Sequence, residues 1–130
     1  FYFISADYLK SVKASKKALI INETNIDARI NLVSSLINLK RYTEAEEECL
    51  KGLKLDNNNV NLLMNISTLY TEMGDFDKSL FELEKLKNIE PDNSTLNSLY
   101  PYICEQLGIE KKLDYLFYFQ PLEKMYNHFH

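Results

Sequence analysis

A chain of 130 residues, 45% hydrophobic and 26% charged, is enough for one ordinary domain with a real core. Its net charge of −4 and pI near 5.2 exclude the basic field that a nucleic-acid binder carries, and no apolar run approaches the ~18 residues of a membrane span. With three glycines and three prolines it is too poor in turn residues for a sandwich or barrel, so the expected class is all-α.

In chain order, residues 1–5 read as the tail of one helix and residues 8–25 as the next, together a partial repeat over 1–25. The start "FYFISADY" lacks Met and the charged-then-apolar layout of a signal peptide. It reads as a cut made inside a longer protein, and the expected compartment is the cytoplasm. Residues 26–59 hold two apolar-periodic stretches split by "KRY" at 40–42. Leu32, Leu36 and Leu39 are spaced i, i+4, i+7 and share one helix face; Tyr42, Ala45, Cys49 and Leu53 do the same on the second helix. Residues 60–93 repeat the plan around "GDF" at 74–76, where Asp75 after Gly74 is placed to cap the following helix. "EPDN" at 90–93 ends that helix, because Pro cannot continue one. Residues 94–120 form a degenerate further unit in which Tyr100, Cys104, Leu107 and Gly108 keep the register while Glu110 and Leu113 depart from it. Pro101 should kink or restart its helix, and Pro121 can open a short capping helix, "PLEKMYNHF", within 121–130.

A shift of 34 residues aligns these units. Tyr8, Tyr42 and Phe76 form one column; Ile21, Leu55 and Ile89 another; Asn25, Asn59 and Asn93 close each unit. Ala18 and Gly52 align as small residues, and Leu86 breaks that column. One hairpin cannot bury two apolar faces alone, so neighbours must stack.

The pattern resembles the tetratricopeptide repeat, whose 34-residue unit carries set apolar, small and Pro positions. Leu63, Ile66, Tyr70, Gly74-Asp75-Phe76, Ser79, Leu83 and Pro91 occupy the signature columns of 60–93. Leu32, Leu36, Tyr42, Ala45, Leu53 and Leu55-Asp56 do so in 26–59, where Arg29, Val33 and Asn57 depart from the usual aromatic, Gly and Pro. Residues 29–93 resemble the repeat portion of immunophilin-type co-chaperones, with "INLVSSLINLKRYTEAEEECLKGLKLD" similar to their middle repeat, and "LEKMYNHF" resembles the helix that follows their repeats. The resemblance implies a right-handed solenoid of antiparallel hairpins.

Nothing in the sequence assembles a catalytic constellation, and no cofactor is implied. There is no G-x-S-x-G, P-loop or G-x-G-x-x-G. His128 and His130 form an H-x-H at the C-terminus that reads as tail rather than metal site. Cys49 and Cys104, in apolar helical contexts, read as buried reduced thiols. "EAEEE" at 44–48 spreads over several helix faces and reads as solvated surface. Lys10, Lys13 and Lys17 share a face, with Lys16 beside them. Because Lys10 and Lys13 stand in the columns of Glu44 and Glu47, pairing across the unit junction is expected.

The resemblance further implies a groove on the concave face, lined by the first helix of each unit. The lining is expected to be Asp27, Ile30, Asn31, Ser34, Ile37 and Asn38; then Asn61, Met64, Asn65, Thr68, Thr71 and Glu72; then Thr95, Ser98, Leu99, Tyr102, Glu105 and Gln106. The partner is then a protein or peptide segment. The family's carboxylate clamp for chaperone tails needs Lys and Arg. Asn31 matches its middle Asn, but Asn61 and Asn65 replace the cations of its third unit, so a chaperone tail is disfavoured. The alternative is a ladder in which Asn31 and Asn65 hold a peptide backbone, since one carboxamide both donates and accepts. With 13 Asn in the chain, composition alone also accounts for the pair. Three functions fit: a non-catalytic adaptor, the arm of a larger enzyme such as an isomerase or transferase, or a structural subunit of an assembly.

Overall fold

A computed structural model describes residues 2–108 as six α-helices: α1 (Tyr2–Ile21), α2 (Ile26–Asn38), α3 (Tyr42–Leu55), α4 (Val60–Glu72), α5 (Phe76–Ile89) and α6 (Ser94–Gln106). There is no strand among the described residues. The expected all-α class therefore holds. The second helix of the last unit, the capping helix over 121–130, and His128 and His130 lie outside the described residues.

Each hairpin is punctuated by the same two devices. At the start of every even helix an Asn stands at the N-cap with extended backbone. Asn25 Oδ1 accepts from the Ala28 amide at 3.0 Å, Asn59 Oδ1 from Leu62 at 3.0 Å, and Asn93 Oδ1 from Thr95 and Leu96 at 2.9 and 3.2 Å. Each satisfies amides the helix cannot. Each even helix ends in a left-handed residue, Lys40 (φ 61°), Gly74 (φ 78°) and Gly108 (φ 72°), all in one column of the register. Behind Lys40, the Arg41 amide donates to the Leu36 carbonyl and the Lys40 amide to Ile37, both at 2.9 Å; Asp75 and Gly74 repeat the pattern onto Tyr70 and Thr71. This is the Schellman closure, which suits Gly and costs a side-chain-bearing residue.

The same column explains why α1 runs unbroken from Tyr2, without the helix boundary expected between residues 5 and 8. Its member there is Ala6, a strong helix former, with neither Gly nor Pro beside it to stop the helix. Pro101 is likewise accommodated inside α6, which continues to Gln106.

The hairpins stack so that each helix packs on its chain neighbours, and α2 also touches α4, and α4 touches α6. The odd helices stand further apart, so the even helices line the inside of the curve. Two apolar clusters fill the stack. The first joins Val12, Leu32, Leu36, Ala45, Cys49, Leu62, Ile66 and Tyr70; the second joins Leu63, Leu83, Leu86, Leu96 and Ile103. Burying a Leu side chain of this kind contributes about 1.5–3 kcal/mol.

One departure from the family pattern, Arg29, is accommodated by the small residue that faces it. Arg29 stands in the column of Leu63, Gly52 in that of Leu86, and Leu62 in that of Leu96. In the second of these sets three leucines share one cluster. In the first, a long Arg fills the space and the facing residue shrinks to Gly: a Cβ on Gly52 would lie 2.8 Å from Leu62 Cδ1 and 3.1 Å from Arg29 Cδ. Arg29 is 3% exposed, and its guanidinium donates to Glu48 Oε2 and to the Glu23 carbonyl. Polar bonds also cross the junctions: Ser35 to Ser11 at 2.9 Å, Tyr70 Oη to Glu46 at 2.7 Å, and Tyr100 Oη to Glu84 at 2.8 Å. The junction ion pair is Lys16–Glu44 at 3.7 Å, not the expected pairing of Lys10 and Lys13. Both of those lysines are exposed one to two turns up α1.

Candidate functional site

The exposed surface of α2, α4 and α6 is the natural place for a partner, because these helices line the inner curve and their turns are spaced to align residues on one face. On α2, Asp27, Asn31 and Asn38 are exposed, while Ile30 and Ser34 are half-buried. Ile30 leans on the first cluster. The expected lining residue Ile37 is instead a core residue, 7% exposed within that cluster. Asn38 turns back on its own helix, its Nδ2 donating to the Ser34 carbonyl at 2.9 Å.

On α4, Asn61 and Glu72 are exposed, and Met64, Asn65 and Thr68 are half-buried. Met64 Sδ lies 3.4 Å from Asn93 Nδ2, which ties this face to the start of α6. The Thr71 hydroxyl is already used, bonding the Ser67 carbonyl and Ser79 Oγ, both at 2.8 Å. On α6, Thr95 and Leu99 are half-buried, and Ser98, Glu105, Gln106 and Tyr102 are exposed. The Tyr102 ring meets Phe76 edge-on with centroids 6.0 Å apart, so an aromatic pair stands at this end of the face.

Asn31 and Asn65 are among the polar groups of this face left open, and they share one column of the register. Neither side chain has a hydrogen-bond partner among the described residues, whereas Asn38, Thr71 and the three capping Asn are spent on the scaffold. No residue of the lining is Lys or Arg, and Asp27, Glu72 and Glu105 give it an acidic tint.

The ionisable groups elsewhere serve the scaffold. Burial, with the Glu82 carboxylate second, pushes the Cys49 thiol up to about 12, and its Sγ donates to the Leu62 carbonyl at 3.4 Å. Burial and the bond to Glu46 hold the Tyr70 phenol well above its usual range. The Arg41 side chain, hydrogen-bonded to Glu44, lowers that carboxyl. Among the described residues no three His, Cys, Asp or Glu side chains gather to hold a metal, and no helix is long and apolar enough to cross a membrane.

Antiparallel hairpins repeating every 34 residues, stacked with an open inner face, define a helical solenoid. Its lineage follows from the repeat itself: the tetratricopeptide repeat model matches residues 26–59 and 60–93, and the chain belongs to that family. Sperm-associated antigen 1 of Mus musculus is 34% identical over 91 residues, which is 70% of this chain and 10% of the relative. The chain thus spans about a tenth of that relative's length. Among solved structures, the first tetratricopeptide domain of Spaghetti (RPAP3), bound to the HSP90 peptide SRMEEVD, superposes with a TM-score of 0.76 at 18% identity, covering 82% of this chain and 85% of that one. The TPR2B domain of yeast Sti1, in a complex with an Hsp70 peptide, gives 0.70 at 21% identity, covering 81% and 89%.

Proposed function

We propose that the chain is a non-catalytic protein-interaction module that holds an extended peptide along the inner face of α2, α4 and α6. The observation that carries this reading is the open carboxamide pair, Asn31 and Asn65, at the same place on successive even helices. Each amide can donate to a peptide carbonyl and accept from a peptide N–H, whatever the side chains of the peptide. Half-buried Ile30 and Met64 and the Tyr102–Phe76 pair offer apolar footholds beside it. The peptide complexes formed by the similar Spaghetti and Sti1 domains support this mode of use.

The ligand class differs from theirs. An acidic tail needs cations to supply charge-assisted bonds, and this face has none. The peptide is therefore neutral or basic, and the reading assigns it to a cytoplasmic partner protein rather than to nucleic acid or a membrane. The small share of the mouse relative that this chain spans favours a second reading beside the first: the module is one arm of a larger protein, whose other parts carry any further activity. Calorimetric titration with SRMEEVD tests the ligand class. Binding should be weaker than about 100 μM; a low-micromolar fit would overturn the assignment.

A further inference from the structure

The rim where α1 ends, α2 begins and the C-terminal half of α3 passes carries two adjoining recesses of about 340 and 280 Å³, sharing Glu23, Arg29 and Lys51. Arg29 forms the floor, anchored by Glu48 and the Glu23 carbonyl. Lys16, Lys51 and Lys54 stand around it. Four cations and two carboxylates line this furrow, with Lys16 also paired to Glu44 at 3.7 Å beside it, on a chain whose net charge is −4. One of the carboxylates, Glu48, is already shared between Arg29 and Lys51.

Beside the cations stands Ile20, 84% exposed. Its column is Lys54 and Asn88 in the next two units, both exposed, so stacking does not call for an apolar residue there. The recess itself recurs two units on, where it is lined by Lys87, Pro91, Asn97 and Tyr100 in the columns of Leu19, Glu23, Arg29 and Leu32. The hollow belongs to the solenoid; the cluster of four cations and the bare isoleucine belong to its first occurrence, against the single Lys87 of the later one.

We propose that this furrow is a second docking site, independent of the inner face, for an acidic peptide segment of a partner protein that carries aliphatic side chains. Its carboxylates pair with Lys16, Lys51 and Lys54, and an aliphatic side chain covers Ile20. Charge complementarity favours that occupant. A flat anionic lipid surface fits less well, because the cations flank a recess and Glu23 stands within it.

The test is amide-shift mapping of the isotope-labelled chain with a synthetic peptide alternating Asp or Glu with Leu, beside its Asn/Gln counterpart. The expected result is salt-sensitive shifts at Ile20, Lys51 and Lys54, with the neutral counterpart weaker by about tenfold. Ile20→Asn combined with Lys54→Glu, both at exposed positions, should abolish the shifts while leaving the helical circular dichroism and Tm unchanged. Shifts confined to α4 and α6, equal binding of the neutral peptide, or binding to phosphatidylserine vesicles without binding to the peptide would each overturn the proposal.

Discussion

Gly52→Ala probes the compensation between neighbouring repeats. In an isolated helix the change is favourable by about 1 kcal/mol, because Ala is the better helix former. Here the new methyl would lie 2.8 Å from Leu62 Cδ1 and 3.1 Å from Arg29 Cδ. Leu62 is fully buried and Arg29 is pinned by Glu48 and the Glu23 carbonyl, so neither yields freely. Overpacking of this kind costs about 1–3 kcal/mol, and the net expectation is a loss of about 1 kcal/mol. Arg29→Leu, which places at residue 29 the type found in the next unit at Leu63, removes one of the two contacts and gives Leu62 room to shift. Glu48 is 21% exposed and already 3.4 Å from Lys51, so it keeps a partner in that variant. In the Arg29→Leu background Gly52→Ala should be close to neutral, a coupling of about 1 kcal/mol. Urea unfolding followed by circular dichroism reads all four corners of the cycle. If Gly52→Ala stabilises the wild-type chain, or if the two changes simply add, the space-sharing account is wrong.

Other expectations follow from the turns and the thiol. Lys40→Gly relieves a left-handed side chain at a position where the next two units use Gly, and should raise stability by about 0.5–1 kcal/mol; a lower urea midpoint would contradict it. Asn59→Ala removes the cap of α4 and should cost about 1 kcal/mol, whereas Asn61→Ala, exposed two residues on, should cost almost nothing. Cys49, held protonated up to about 12 by burial, should resist a thiol reagent at pH 8 until the chain is unfolded; rapid modification in the native state would show the site is open. The Glu44 carboxyl is lowered in the folded state by Arg41, so its small contribution is present above 4.5, its ordinary value, and is lost as the pH falls below it. Glu44→Gln should flatten the acid limb of the stability curve slightly.

The 34-residue register was legible because apolar spacing and turn columns repeat in sequence, and it led directly to the hairpins. The Asn column at 25, 59 and 93 was equally visible, but its purpose needed the backbone: only the extended cap geometry shows these residues serving helix starts. That result also separates the Asn of the capping column from Asn31 and Asn65, whose side chains the scaffold does not use. Arg29 read as a defect in the pattern. The contacts with Gly52, Leu62 and Glu48 that make it a coherent alternative join residues far apart in sequence, which no single-column comparison reveals. The Lys16–Glu44 pair shows the same limit, since register names the facing helices but not which turn of α1 lies opposite α3. Ile37 was misplaced because helix spacing alone puts it at the boundary between face and core, and packing draws it inward.

The inner face is tested most directly by selecting extended peptides against the chain and comparing their affinity for the wild type and for Asn31→Ala/Asn65→Ala. Each lost amide bond is worth about 0.5–1.5 kcal/mol, so affinity should fall at least about fivefold while the urea midpoint stays in place. Unchanged affinity in the double variant would contradict the account.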